Sequence, residues 1–215
     1  MAGMDEQREL DPGTAGRSAR REAERKRARR EALAPSRSRL LRFLLPVPGA
    51  ERRRLAEERN WLTGGRGEEL LAASLRKQCR AVRLLHDRRI PGRRSNIDHL
   101  AIAASGVYVI DAKRYRGKIE VRKPLFGSAK LRIAGRDRTK LVEGLTRQVA
   151  AVAAALSETD REVCVHGCFC FLNPEGLLAE SGLPAFNRLR INGYALYSPR
   201  RLAKRLNEPG TLSVE

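Results

Sequence analysis

The sequence lacks a hydrophobic run long enough to cross a membrane. Its best apolar run outside the expected core, LLRFLLPVPG at residues 40–49, contains one arginine and two prolines. It is far shorter than the roughly 20 apolar residues that a spanning helix needs. The first residues also lack the basic region followed by an apolar stretch that marks a secretory signal. We therefore expect a cytoplasmic protein with no membrane partner.

Aromatic residues are scarce, and acidic residues are far outnumbered by basic ones. The chain has 25 Asp and Glu against 44 Lys and Arg, and its formal net charge is +19. This excess favours a polyanionic partner such as nucleic acid, while a merely solvated basic surface is the alternative. Aromatics make up only 5% of the 215 residues. We therefore expect Trp61, Tyr108 and Tyr115 to serve in packing, with stacking on bases as the alternative.

Cysteine is limited to four residues, and three of them lie with His166 in VCVHGCFCF at 163–171. If this segment is a strand, these cysteines and His166 share one face. Successive residues on that face stand about 6.6 Å apart, so the four cannot meet one zinc ion at about 2–2.3 Å. We predict instead a strand buried on both faces, with the cysteines as small core residues.

Residues 1–50 differ in composition from the rest of the chain. The stretch RSARREAERKRARREAL at 17–33 favours a helix through opposite charges four residues apart, but it has no apolar stripe to dock it on a core. Prolines break the segment that follows. We predict a basic, flexible N-terminal arm and linker over residues 1–50, largely disordered or loosely helical, and one folded domain over residues 51–215.

The folded part predicts an α/β domain with a mixed sheet flanked by helices. A helix with a Gly-rich interruption at 64–67 opens it and continues from about Glu68 to Lys77. Strands are predicted at 81–90, in a hairpin at 96–115 that turns at 104–106, and at 118–123, 130–135, 162–171 and 191–198. Further helices run from a Thr139 cap to about Leu156 and after Pro199.

Charged residues interrupt both apolar runs of this hairpin, NIDHLAIAASGVYVIDAKRY. Alternation places Asp111 and Lys113 on one face, and Asp98 can lie near Asp111 across the ladder. Two carboxylates brought together repel each other unless cations compensate, as Lys113 and a hard divalent ion such as Mg²⁺ would. An exposed, salt-bridged face on an edge hairpin is the alternative.

Four segments in this order resemble the nuclease-related domain (NERD), a branch of the PD-(D/E)xK nuclease superfamily. They are GRGEELL, LLHDRRIPG, SNIDHLAIAASGVYVIDAKRYRGKI and GRDRTKLVEGLTRQV. The resemblance covers about residues 60–205 and implies a restriction-endonuclease-like core. Position by position, it implies a catalytic set of Glu68 (with Glu69 as a substitute), Asp98, Asp111, Lys113 and Gln148. His99 matches a recurrent residue of the family, for which a packing role is equally open.

Two positions depart from the family pattern. No proline precedes Asp98, and Val152 stands where some relatives have an aromatic residue after the helix glutamine. The second departure bears on the role of Gln148 more than on the metal site.

The resemblance implies metal-dependent hydrolysis of phosphodiester bonds in nucleic acid, with DNA favoured, in DNA processing or repair. Glu68, Asp98 and Asp111 would hold one or two Mg²⁺ (or Mn²⁺) ions. Lys113 would orient the attacking water and stabilise charge on the phosphate. The alternative is a nucleic-acid-binding module that retains an ancestral nuclease site without cleaving. The oligomeric state is unknown.

A basic loop, GRDRTK at 135–140, precedes the second predicted helix. Arg136, Arg138 and Lys140 are candidates for nucleic-acid binding through phosphate contacts, and a solvated loop is the alternative.

Overall fold

The structure is a computed structural model that describes residues 11–33, 49–93, 95–159, 163–173, 182–183 and 189–212. In these ranges it contains four helices, α1 (Arg17–Ala32), α2 (Gly49–Gln78), α3 (Lys140–Ser157) and α4 (Pro199–Leu206). The strands are β1 (Arg83–Arg89), β2 (Asn96–Ala103), β3 (Gly106–Arg114), β4 (Ile119–Arg122), β5 (Lys130–Ile133), β6 (Arg136–Asp137), β7 (Val165–Leu172), β8 (Arg190–Ile191) and β9 (Tyr194–Tyr197).

Six strands form a central mixed sheet in the order β1-β2-β3-β7-β9-β8. The strands β1, β2 and β3 pair antiparallel, β7 is parallel to both β3 and β9, and β8 is antiparallel to β9. The remaining strands form a small antiparallel sheet, β4-β5-β6. The prediction of an α/β fold with a mixed sheet flanked by helices is therefore confirmed. No helix in the described ranges has both the length and the apolar content of a membrane span.

Apolar side chains cover both faces of the central sheet. On one face, Leu71 and Leu75 of α2 and Leu202 of α4 pack on β3 and β7. On the other face, Leu145 of α3 and Leu131 of the small sheet belong to a second buried cluster. The sheet thus lies between two apolar layers.

The strand β7 is buried on both faces from Cys168 to Leu172, as its sequence predicts, while its first three residues are half-buried. Cys168 and Cys170 belong to the cluster under α2, and Phe169 and Phe171 to the cluster under α3. Burial raises the pKa of both thiols. Cys164, just before the strand, is exposed, so the prediction of a core position is wrong for this cysteine.

The helix α2 is continuous, so the predicted interruption at 64–67 is wrong. A Cβ atom on Gly65 would lie 3.2 Å from Cβ of Ala19, and one on Gly67 would lie 3.3 Å from Cβ of Arg114. These glycines allow two neighbouring segments to approach the helix closely. The partners lie far away in the chain, which explains why the local pattern resembles a break.

The helix α1 packs along α2, so the expectation that 17–33 has no docking surface is wrong. Ala15, Ala19 and Ala23 recur every four residues and are buried, forming a narrow apolar stripe hidden among charges. Ion pairs join the two helices, including Lys26 Nζ to Glu57 Oε2 at 2.7 Å. The other parts of the predicted arm, 1–10 and 34–48, lie outside the described residues. The division of the chain at residue 50 stays a prediction.

Two loops differ from expectation. The segment predicted as one strand at 191–198 contains a turn at Asn192–Gly193, where both residues have positive φ (47° and 84°), and it forms β8 and β9. Asn-Gly is a strong hairpin signal, which outweighs the flanking apolar residues. Part of the basic loop forms β6, and Thr139 Oγ1 accepts the Leu131 N–H at 3.1 Å, so its side chain joins the small sheet to α3.

Candidate active site

The candidate site lies where β2 and β3 stop pairing. Their register ends at His99–Ile110, so Asp98 and Asp111 are the next residues that would face each other. At this point the Ala112 N–H donates to Oδ2 of Asp98 at 3.0 Å. The Asp98 carboxylate thus occupies the place of a strand carbonyl and is held beside Asp111.

Asp111 and Lys113 point to the same face of β3 and form an ion pair. The Asp111 side chain is 8% exposed and the Lys113 side chain 23%. Burial raises the pKa of Asp111 to about 7; Lys113 opposes this shift and Asp98 adds to it. Burial alone would lower the pKa of Lys113, but Asp111 and Asp98 outweigh it and hold that pKa above its ordinary value. The lysine is therefore charged at neutral pH.

Glu68 of α2 is the third acid of the cluster. Burial and, secondly, Asp98 raise its pKa to about 8, while the Gly16 N–H, which donates to Oε2 at 3.1 Å, and Lys113 oppose the shift. We call Glu68, Asp98 and Asp111 the carboxylate cluster. Glu69, the residue after Glu68, instead accepts a hydrogen bond from Arg20 Nε at 2.7 Å. The structure thus brings Glu68, and not the substitute Glu69, to the cluster.

Gln148 and His99 make their hydrogen bonds to residues outside the carboxylate cluster. The Gln148 Nε2 donates to the Asn96 carbonyl at 3.1 Å, at the start of β2, and its buried Oε1 has no hydrogen-bond partner among the described residues. His99 is fully buried, with Nδ1 2.8 Å from Nδ1 of His86. Burial and then His86 lower the pKa of His99 to about 3, so His99 is neutral and packs inside the fold.

An open cleft of about 1370 Å³ leads to the carboxylate cluster, and Glu68, Asp98 and Lys113 line it. Asp111 lies beneath them, hydrogen-bonded to Lys113. The cleft is therefore the route by which a substrate would reach the charged groups of the hairpin.

One of the three predicted phosphate-binding residues lines this cleft. Arg138 does so, with its guanidinium 5.8 Å from the centre of the Tyr115 ring. Arg136 and Lys140 are exposed and are absent from the part of the cleft lining that the structure describes. The basic loop thus brings one cation to the cleft, where three were expected.

Asp87 is a polar residue of the site that sequence reasoning missed. It has a φ of 51° within β1, and its carboxylate accepts the Ser18 N–H (2.8 Å), the Ser18 hydroxyl (2.6 Å) and Asn96 Nδ2 (2.7 Å). It lines the cleft and contributes to the raised pKa of Glu68. The available signal was an acid in the middle of a predicted strand, but five of the seven residues of β1 are charged or polar, so Asp87 does not stand out as Asp98 and Asp111 do.

Among the described residues, no three Asp, Glu, His or Cys side chains converge closely enough to hold one metal ion. The carboxylates bind internal donors: Asp111 binds Lys113, Asp98 the Ala112 N–H and Glu68 the Gly16 N–H. In this arrangement the site offers three carboxylates with internal hydrogen-bond partners, a charged lysine and, at Glu68, a carboxyl group whose pKa is raised chiefly by burial.

Comparison with known proteins gives one match. The sequence model of the nuclease-related domain matches residues 63–172, a little more than half of the chain. This range includes the carboxylate cluster, Lys113 and Gln148, and excludes α1. A search of curated proteins and a search of solved structures each found no match.

Proposed function

Because this chain belongs to the nuclease-related domain family, we propose that it is a metal-dependent nuclease that hydrolyses phosphodiester bonds in DNA. The observation that carries the proposal is the carboxylate cluster beside Lys113 in a cleft lined with arginines. Clustered acids repel phosphates, so a site built only to bind nucleic acid has no use for them. A role in DNA processing or repair, in the cytoplasm, belongs to the same proposal.

The chemistry of the cluster fits Mg²⁺ or Mn²⁺. Carboxylate oxygens are the ligands that these hard cations prefer, and Glu68, Asp98 and Asp111 would hold the ion. Three carboxylates face one lysine, and burial, to which Asp98 adds, raises the pKa of Glu68 and of Asp111, so a bound cation would offset the cost of charging them. When bound, the ion would polarise the phosphodiester and lower the pKa of bound water.

The protein's own residues supply the rest. Lys113, charged and held by Asp111, would orient the attacking water and stabilise charge that develops on the phosphate. Gln148 would act as a positioning residue, because it holds the Asn96 carbonyl two residues from Asp98. Arg138, which also lines the cleft, would bind a phosphate oxygen.

The test is incubation of the purified protein with linear, circular and single-stranded DNA in Mg²⁺, Mn²⁺ or EDTA. We expect cleavage that requires the metal and is lost in Asp98→Asn, which removes a charge but keeps an acceptor for the Ala112 N–H. The matched control is Glu143→Gln, an exposed acid of α3, which should cleave normally. Cleavage in EDTA, or full activity of Asp98→Asn, would contradict the proposal.

A non-cleaving nucleic-acid-binding module is the second candidate. It is favoured by the internal partners of all three carboxylates, since no three ligands converge within the described residues. If the wild type binds DNA but cleaves none of the three forms with either metal, this second function replaces the first.

A further inference from the structure

One wall of the cleft is formed by α1, which lies outside the range of the family match. Arg17, Arg21 and Arg25 all line the cleft and are exposed. They recur every four residues, so they share one face of the helix, and we call them the arginine stripe. At 1.5 Å per residue the stripe extends for about 12 Å along the wall. Within the described residues, the carboxylate paired with it is Glu22, 3.6 Å from Arg25.

The stripe is held at a fixed place relative to the carboxylate cluster. The residue before Arg17, Gly16, donates its N–H to Glu68. The residue after it, Ser18, donates its N–H and its hydroxyl to Asp87. The first arginine of the stripe therefore lies next to the acids, and the others lead outward along the cleft.

Further arginines line the cleft besides those of α1. Arg89, Arg93 and Arg138 line it together with the stripe, and its lining carries twice as many Arg and Lys as Asp and Glu. A cleft with this excess of cations, in which Glu68 and Asp98 of the carboxylate cluster lie together, suits a polyanion whose backbone contacts the arginines and passes these acids.

The cleft also presents an aromatic surface next to the stripe. Trp61 of α2 lines the cleft and is 43% exposed. Phosphate-binding cations combined with an exposed aromatic ring are typical of sites for single-stranded nucleic acid, because unpaired bases can stack on the ring. Bases inside a duplex are stacked on each other and do not offer their faces to it.

We propose that α1 and Trp61 form the binding wall for a single strand of nucleic acid, with the arginine stripe contacting backbone phosphates and Trp61 stacking on a base. The inference deepens the proposed function, since it takes nucleic acid as the occupant of the cleft and names a single strand as the form bound. Its test uses binding in EDTA, which does not depend on cleavage.

The first arm tests the stripe. Binding of a fluorescent single-stranded oligonucleotide by the full chain is measured as a function of salt. The triple variant Arg17→Gln/Arg21→Gln/Arg25→Gln should lower the magnitude of the slope of log affinity against log salt by about 2, the value for three lost phosphate contacts on a single strand. The matched control removes three exposed cations outside the cleft lining: Lys77→Gln/Arg200→Gln/Lys204→Gln. Equal slopes for the two triple variants would overturn the proposal.

The second arm tests the strand form. Trp61→Ala should weaken single-strand binding by about 5- to 150-fold, with partial recovery in Trp61→Phe and little change for the matching duplex. Leu62→Ala is the control, because Leu62 is 49% exposed but absent from the described lining. Tighter binding of the duplex by the wild type, or no effect of Trp61→Ala, would overturn the assignment to single strands.

The outcomes separate this inference from the proposed function. If the wild type cleaves DNA but the stripe variant binds like its control, the inference fails and the nuclease stands. If the wild type never cleaves but both binding arms give the expected result, the nuclease fails and the binding wall stands. Thermal melting of each variant checks that it is folded.

Discussion

The carboxylate cluster and the arginine stripe lie in the same cleft but are built in opposite ways. The cluster lies within the family match, and burial raises the pKa of Glu68 and Asp111. The stripe lies outside the match, on the exposed face of α1. Buried charges interact strongly and determine chemistry, whereas exposed charges act through screened attraction. Changes in the cluster should therefore alter the reaction, and changes in the stripe should alter affinity and its salt dependence.

The largest expected effect is the difference in cleavage rate between variants of two adjacent glutamates, Glu68 in the carboxylate cluster and Glu69 outside it. Glu68→Ala should lower the rate of metal-dependent cleavage at least about 100-fold, because even outer-shell partners of a metal site are worth 10- to 100-fold. Glu69→Ala removes only the ion pair with Arg20. Because the side chains of Arg20 and Glu69 are 58% and 34% exposed, this change should alter the cleavage rate little. The measurement is the cleavage rate of the two variants at saturating Mg²⁺. Similar losses in both would contradict the assignment of Glu68, and not Glu69, to the carboxylate cluster.

The docking of α1 should produce a clear effect on stability. Ala19→Leu would force a larger side chain into the contact with Gly65, and we expect a loss of about 1–3 kcal/mol in the free energy of unfolding. The control is Ala28→Leu on the same helix, where the alanine is exposed and the change should be nearly neutral. Urea unfolding of both variants gives the comparison. If neither variant loses stability, α1 is the undocked arm that its composition indicates.

A smaller effect on stability should follow from removing the side-chain hydrogen bond between Ser18 of α1 and Asp87 of β1. Ser18→Ala removes the hydroxyl that donates to Asp87 at 2.6 Å, while the backbone N–H of residue 18 still donates to the same carboxylate. We expect a loss of about 1 kcal/mol in the free energy of unfolding. Ser128→Ala, at an exposed position, is the matched control. A Ser18→Ala variant as stable as that control would show that Asp87 does not hold α1.

The elements that could be predicted from sequence are those whose signal is local. The hairpin has two short apolar runs with a turn between them. Alternation along a strand puts Asp111 and Lys113 on one face, and pairing of the two strands across the turn can bring Asp98 near Asp111. The strand β7 has an apolar residue at almost every position, which indicates burial on both faces. In each case the relevant neighbours are within the same element or the next one.

The features that were missed depend on distant partners. Gly65 and Gly67 resemble a break until Ala19 and Arg114 are placed against them, and both partners are more than 40 residues away. The buried alanines Ala15, Ala19 and Ala23 are only weakly apolar. In any local window the arginines and glutamates around them hide their periodic pattern. The hydrogen bond from Gly16 to Glu68, which joins the wall to the cluster, has no sequence signature.

The central claim is that Asp111 and Lys113 form part of a catalytic site and are not simply a structural ion pair, and it is tested most directly by comparing Asp111→Ala with Lys113→Ala. The measurements are Mg²⁺-dependent cleavage and DNA binding in EDTA. Both variants should lose cleavage, because each removes a group proposed to act on the phosphate or its cation. Binding should be kept or tightened in Asp111→Ala, where a negative charge is removed, and slightly weakened in Lys113→Ala. A wild type that cleaves nothing, with two variants that are equally destabilised and bind DNA equally well, would contradict the account.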